Sequence, residues 1–298
     1  MNIYEIKVVS DKPMQVGECP LWHGKEAALY WVDIDGRAVH RLHPASGKHE
    51  QWSMPTEPSA LAINAGGGLI VALRSGFAHL DTKTGSLAEI APAPFDMATT
   101  RFNDGKVDPA GRFWVGTIFE PRSADAAEMF VLEKGNVRKV WSGGMTVSNG
   151  LGFSPDKRTM YHADTTTHRI DRFDFDAATG AISAPQPFQR FSTDKKAVDY
   201  GGRPDGAAVD SEGNYWSAMF EGGKILRFAP DGHLLGEITV PVRCPTMVTF
   251  GGPDLRTLYI TSASHNRSAE EIASHPLTGH VLSVRVDVAG QPETAYQA

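Results

Sequence analysis

The sequence is poor in cysteine, in positive charge and in long apolar runs. Two cysteines among 298 residues, Cys19 and Cys244, are too few for a disulfide scaffold or a thiolate zinc site. Each precedes a proline, and the expected state is a pair of buried free thiols in a cytoplasmic protein. A formal net charge of −6 argues against nucleic acid or an anionic membrane as the main partner, since both demand a basic footprint. No stretch approaches the roughly 18 apolar residues of a membrane helix. The opening "MNIYEIKVVSDK" alternates and has no apolar core of signal-peptide length. Helical periodicity is nearly absent too, with "NRSAEEIASHP" (266–276) the one place where a turn or two of helix is expected.

What the chain does have is punctuation, with 30 glycines and 19 prolines. These break it into short strands rich in aromatic and β-branched residues, an all-β pattern. Six segments match one another: Glu18-Cys-Pro-Leu-Trp22, Ser59-Ala-Leu-Ala-Ile63, Asn103-Asp-Gly-Lys-Val107, Asn149-Gly-Leu-Gly-Phe153, Asp205-Gly-Ala-Ala-Val209 and Thr246-Met-Val-Thr-Phe250. Their starts lie 41, 44, 46, 56 and 41 residues apart. Each is followed by a turn, a second strand such as "ALYWVD" or "RFWVGT", and a third such as "AVHRLHP" or "KILRFAP". Outer strands such as "HEQWSM" and "LLGEITV" complete the unit. Four strands at a period in the forties is the signature of propeller blades. A two-sheet sandwich gives no reason for six matching units. The sequence therefore predicts a single all-β domain over 1–298, a six-bladed β-propeller with four antiparallel strands per blade. An open edge would invite aggregation, so "IYEIKVVS" is predicted to close the ring beside "GHVLSVRVDV".

The first strand of each blade lines the central channel, and its first residue sits at one mouth. Glu18, Ser59, Asn103, Asn149, Asp205 and Thr246 must then converge there, and all six can offer an oxygen. Taken singly, each is an ordinary turn residue, because Asn-Gly and Asp-Gly are common turn dipeptides, and propeller channels often hold polar groups with water. Four acid or amide groups at one structural position point further. Carboxylates brought together raise each other's pKa, and a hard divalent cation resolves the conflict with oxygen ligands. Glu18 and Asp205 would supply charge and Asn149 a neutral carbonyl, with Asn103 either joining them or addressing a substrate. No histidine falls at these positions, so a histidine-rich zinc site is not implied. His162 is read as packed between blades.

The motifs "GECPLW", "YWVDI", "RFNDGKVDPAGRFWVGT", "SNGLGFSPDKRTMYHADT", "RPDGAAVDSEGNYW" and "GGPDLRTLYITSA" resemble the family containing regucalcin (SMP-30), gluconolactonases and bacterial sugar lactonases. The resemblance runs over nearly the whole chain. It implies a six-bladed propeller with one divalent cation in the channel mouth, held here by Glu18, Asn149 and Asp205, with Arg101 and Asn103 touching substrate. Glu120, in the loop after "GTI", is the candidate for an acidic contact to sugar hydroxyls. The segment "DKKAVDYGG" explains the longest spacing and is expected to overhang the mouth, where Tyr200 would touch the ligand or lie in an ordinary surface loop. The implied reaction is hydrolysis of an aldonolactone, with Asp205 as preferred general base or as the group orienting water. Calcium, magnesium, manganese, zinc and iron all remain possible cations. The alternatives are a phosphotriesterase-like hydrolase and a non-catalytic calcium-binding, regulatory or docking propeller. The partner expected is a small-molecule lactone, on a monomer or weak oligomer.

Overall fold

The computed structural model describes residues 4–298. Short strands with one or both faces buried must stack on other sheets, and here they do so as six sheets. The innermost strands are Gly17–His23, Pro58–Ile63, Thr100–Val107, Ser148–Phe153, Arg203–Val209 and Pro245–Gly251. From each, the chain runs outward through antiparallel neighbours in sequence order, so that blade 1 continues through Ala28–Asp33 and Ala38–His43 to Lys48–Ser53. Blade 4 carries an extra two-residue strand, Ala181–Ile182, beside its outer Gln186–Arg190. Together with the segment before Arg203, that excursion lengthens the fourth repeat.

Blade 6 takes its outer strand from the other end of the chain. Ile6–Val8 pairs antiparallel with Leu282–Arg285, in the register Ile6 to Val284 and Val8 to Leu282. The predicted closing segment begins at Ile3, outside the described residues, but the closure itself is as the alternation of that segment required. The one helix among the described residues, Ala269–Ser274, lies in the last repeat and is capped by the Ser268 side chain. Among the described residues no helix is long and apolar enough to cross a membrane.

The apolar core fills the spaces between blades, where Trp31, Trp114, Tyr161, Phe77 and Phe102 are wholly enclosed. Side chains of this size contribute roughly 1.5–3 kcal/mol each on burial. Buried aspartates tie the turns to this core. Asp108 accepts from Arg112 and from Trp114 Nε1 at 2.9 Å, and Asp210 from Asn214 and from Trp216 Nε1 at 2.9 Å. Cys19 and Cys244 are free and buried.

Candidate functional site

The six polar residues that start the repeats are all buried, between 1% and 9% exposed, and a shared backbone device holds them. Each inner strand pairs regularly with its neighbour up to this position and then loses register, with shifts at Glu18/Leu21, Pro58/Ala60, Phe102/Gly105, Asn149/Gly152, Pro204/Ala207 and Pro245/Val248. A bulge bends its strand and re-aims a side chain. In two blades the next residue is left-handed, Gly150 at φ 61° and Cys19 at φ 43°. Gly150 is also needed for space, since a Cβ there would collide with the Tyr215 hydroxyl.

The ring then divides into two sets. Ser59 Oγ donates to the Phe102 carbonyl at 2.6 Å, Asn103 Nδ2 to Ser148 at 2.8 Å and Thr246 Oγ1 to Gly17 at 2.5 Å. Each of these carbonyls belongs to the residue just before the matching polar residue of the next blade, so these three side chains staple one blade to its neighbour. Glu18, Asn149 and Asp205 make no such staple. Glu18 Oε2 accepts only the adjacent Cys19 N–H, at 2.9 Å, and no side chain donates to Asp205 among the described residues. Asn149 is fixed from both sides: its Oδ1 accepts from Asn103 Nδ2 at 2.8 Å, and its Nδ2 donates to Thr165 Oγ1 at 2.8 Å. Thr165 in turn donates to the Pro204 carbonyl at 2.7 Å. This relay sets which way the Asn149 amide points.

Burial pushes both carboxyl groups far up, and nearby acids add to it. Asp205 rises to about 8 through burial and Asp104, with Arg203 opposing. Glu18 is raised by burial, then by Asp205 and Asp104. Two water-excluded carboxylates and a carboxamide carbonyl, with little to compensate the charge, suit a hard divalent cation that prefers oxygen ligands. Among the described residues no three of His, Cys, Asp and Glu gather as a metal site; the set depends on Asn149 in place of a third acid.

Arg101 lies beside this set. Its Nη1 donates to the Phe102 carbonyl at 2.9 Å and to Asn103 Oδ1 at 2.8 Å, and burial lowers its pKa. Glu120 is on the exposed rim, where Arg74 donates to both its oxygens at 2.9 and 2.8 Å and Arg101 Nε stands 3.6 Å away. Tyr200 packs its ring 6.0 Å from His168, and its hydroxyl is buried without a partner. His162 is packed between blades as expected, with Nε2 2.9 Å from Ser148 Oγ and the ring against Trp141.

Asp104 is the residue that the sequence reading missed. One step further in from Asn103, Asp104 is 4% exposed. Its Oδ2 accepts from the Leu151 N–H at 2.9 Å, and Oδ1 has no partner. Burial raises it to about 6. The signal was available, because the other five repeats carry Cys19, Ala60, Gly150, Gly206 and Met247 at this position. The large concave feature, a groove of about 1350 Å³ lined by Trp22, His79 and Tyr259 among others, belongs to the opposite face. Chemistry rather than cavity volume marks the mouth.

Comparison with known proteins identifies the family. The family model for the SMP-30/gluconolactonase/LRE-like region matches residues 16–264. The chain is 46% identical to the 6-deoxy-6-sulfogluconolactonase of Pseudomonas putida, over 98% of both chains. It is 35% identical to a pentonolactonase of Haloferax volcanii, over 96% of both. The crystal structure of a calcium-binding protein, regucalcin, from Agrobacterium tumefaciens superposes with a TM-score of 0.93 at 30% identity, covering 99% of this chain and 98% of that one. Matched by the family model over most of its length and by relatives over nearly all of it, this chain belongs to the SMP-30/gluconolactonase/LRE-like family.

Proposed function

We propose that this protein is a sugar lactonase, a hydrolase that opens an aldonolactone to the aldonic acid with the help of one divalent cation. The observation that carries the reading is the division of the ring. Glu18 and Asp205 keep buried carboxylate oxygens that no neighbouring blade claims, and beside them Asn149 Oδ1 accepts only from Asn103, while Ser59, Asn103 and Thr246 are used as staples. The names of the Pseudomonas and Haloferax relatives, both lactonases, support the substrate class. The two buried free thiols support a cytoplasmic setting, and the whole chain of 298 residues is taken as one domain.

Glu18, Asn149 and Asp205 would hold the cation. Once bound, it would polarise a carbonyl oxygen and make a water more acidic. Its charge also lets both carboxyls ionise together, which burial alone opposes. Asp205 then serves as the base that takes a proton from the attacking water, or as the acceptor that orients it. Arg101 and Asn103 hold the sugar, the guanidinium through its fixed fork of donors and the amide through its carbonyl or nitrogen. The Arg74–Glu120 pair would present the Glu120 carboxylate to sugar hydroxyls from the rim. The identity of the cation follows from cavity size and ligand number, and calcium is favoured by the Agrobacterium relative's description.

That same description supports a second reading, in which the cation is bound without turnover. An indicator assay over pentono- and hexonolactones, with and without chelator, separates the two. We expect hydrolysis above the spontaneous rate, abolished by chelator and restored by cation. Glu18→Gln and Asp205→Asn should each lower kcat/KM by about a thousandfold, roughly 4 kcal/mol of transition-state stabilisation, while the melting temperature persists. Turnover indifferent to chelator, or retained by both variants, refutes the proposal.

A further inference from the structure

One arginine at the mouth is not accounted for by the site above. Arg203 begins the inner strand of blade 5, two residues before Asp205. Its guanidinium lies on the Phe220 ring at 5.0 Å and its Nη2 is 3.5 Å from Glu221 Oε2. Among the described arginines that are not exposed, it is the one whose side chain makes no hydrogen bond, and its Nε is buried without an acceptor. An enclosed donor left unpaired costs about 1–3 kcal/mol. A second unpaired donor stands close by. The Tyr200 hydroxyl, three residues back along the chain from Arg203, is buried without a partner.

Charge on this rim is also out of balance. Glu221 is shared by Lys195 Nζ at 3.1 Å, Arg203 at 3.5 Å and Arg267 at 3.9 Å. Arg267 stacks on the same Phe220, at 5.8 Å, and with Arg243 it divides Glu271. Four cations thus face Glu221 and Glu271 on this rim, and with Asp205, which Arg203 also reaches, three acids in all, leaving one positive charge in excess. Cations beside an aromatic face and short of counter-charge are how a protein prepares for an oxyanion.

We propose that Arg203 and the Tyr200 hydroxyl form a subsite for an oxyanion substituent, a sulfonate or a phosphate monoester, on the end of the sugar lactone remote from its carbonyl. This rests on the lactonase reading for the identity of the sugar. Two strand residues place the Arg203 and Asp205 Cα atoms roughly 6–7 Å apart, the same order as the span of a six-carbon chain from carbonyl carbon to terminal substituent. Arginine suits the role better than lysine, because its fork engages two oxygens of one anion at once.

The test compares kcat/KM for glucono-δ-lactone with those for its 6-phosphate and its 6-deoxy-6-sulfonate, using cation-loaded protein. We expect the wild type to favour a charged lactone at least thirtyfold, largely through KM, and less so at high salt. Arg203→Met should collapse that ratio below threefold, Arg203→Lys should keep an intermediate value, and Tyr200→Phe should reduce it three- to tenfold. Melting curves establish that each variant is folded. A wild-type ratio near unity overturns the subsite, as does an Arg203→Met variant that slows all the lactones equally. If no lactone is opened, the lactonase reading fails, and calorimetry with gluconate, 6-phosphogluconate and 6-deoxy-6-sulfogluconate still decides the subsite. Binding of a substituted acid at least tenfold tighter than gluconate, lost in Arg203→Met, upholds it, and equal binding refutes it. Which of the two substituted compounds gains identifies the anion.

Discussion

At the scale of single residues, the mouth depends on groups that touch no ligand. Thr165 is the clearest, since one hydroxyl accepts from Asn149 Nδ2 and donates to the Pro204 carbonyl, the residue before Asp205. Thr165→Val keeps the shape and removes both bonds. The unpaired partners should cost about 1–3 kcal/mol each, and the freed Asn149 amide should weaken cation affinity by about tenfold, as loss of an outer partner typically does. Calorimetric titration with a divalent cation reads this, and unchanged affinity would show that the relay does not orient Asn149. The paired acids make a second prediction. Because the folded-state pKa values of Asp205, about 8, and Glu18 are raised, the cation-free native state holds more protons than the unfolded chain. The contribution of this pair to stability is therefore full at low pH and is lost as pH rises from the ordinary carboxylate range near 4 toward 8. Cation binding must expel those protons. The gain in melting temperature on adding cation should accordingly grow from pH 5 to pH 8, and a gain flat across that interval would contradict the assignment.

Strands are the next scale, and here the bulge decides what a polar residue does. Strand identity was legible in stretches such as "ALYWVD" and "TLYITS", where aromatic and β-branched residues sit between turns. The bulges were not legible, because the residues at them (Cys19, Gly150, Gly206) have no common type and Asn-Gly or Asp-Gly reads equally well as a plain turn. That Glu18, Asn149 and Asp205 hold one structural position on their inner strands could be inferred from the repeat alone. The stapling role of Ser59, Asn103 and Thr246 could not, since it depends on which carbonyl the neighbouring blade presents. Nor could Glu120 be seen as one member of an arginine network, because its partner Arg74 lies in another repeat. Ser59→Ala tests the staple directly. Its hydroxyl is 1% exposed and reaches the Phe102 carbonyl across blades, so chemical denaturation should show a loss of about 1–2 kcal/mol. No loss would mean that the contact between blades 2 and 3 rests on apolar packing alone.

For the molecule as a whole, the ring is fastened at one end and tied at the other. The N-terminal strand closes blade 6, which the repeat logic demanded. The last ten residues do something that could not be read beforehand, because "AGQPETAYQA" is polar and aperiodic. It crosses the face opposite the mouth. Gln291 Nε2 donates to the Phe153 and Val209 carbonyls at 3.2 Å each, and Glu293 meets Lys106 at 2.6 Å. Tyr296, 1% exposed, exchanges backbone bonds with Ile63 and Ala65, while its hydroxyl accepts from the Gly135 N–H at 2.9 Å. The segment thus links blades 2, 3, 4 and 5 across the channel. Tyr296→Ala removes the anchoring ring and leaves a cavity, which for a buried aromatic costs about 3–5 kcal/mol. In a chain of this size that corresponds to a fall in melting temperature of about 5–10 °C. Deleting residues 290–298 should cost at least as much, and the cation-induced gain should survive in both variants, because the mouth lies at the other end. A tail that can be removed with no change in melting would show that the ring is held by its blades alone.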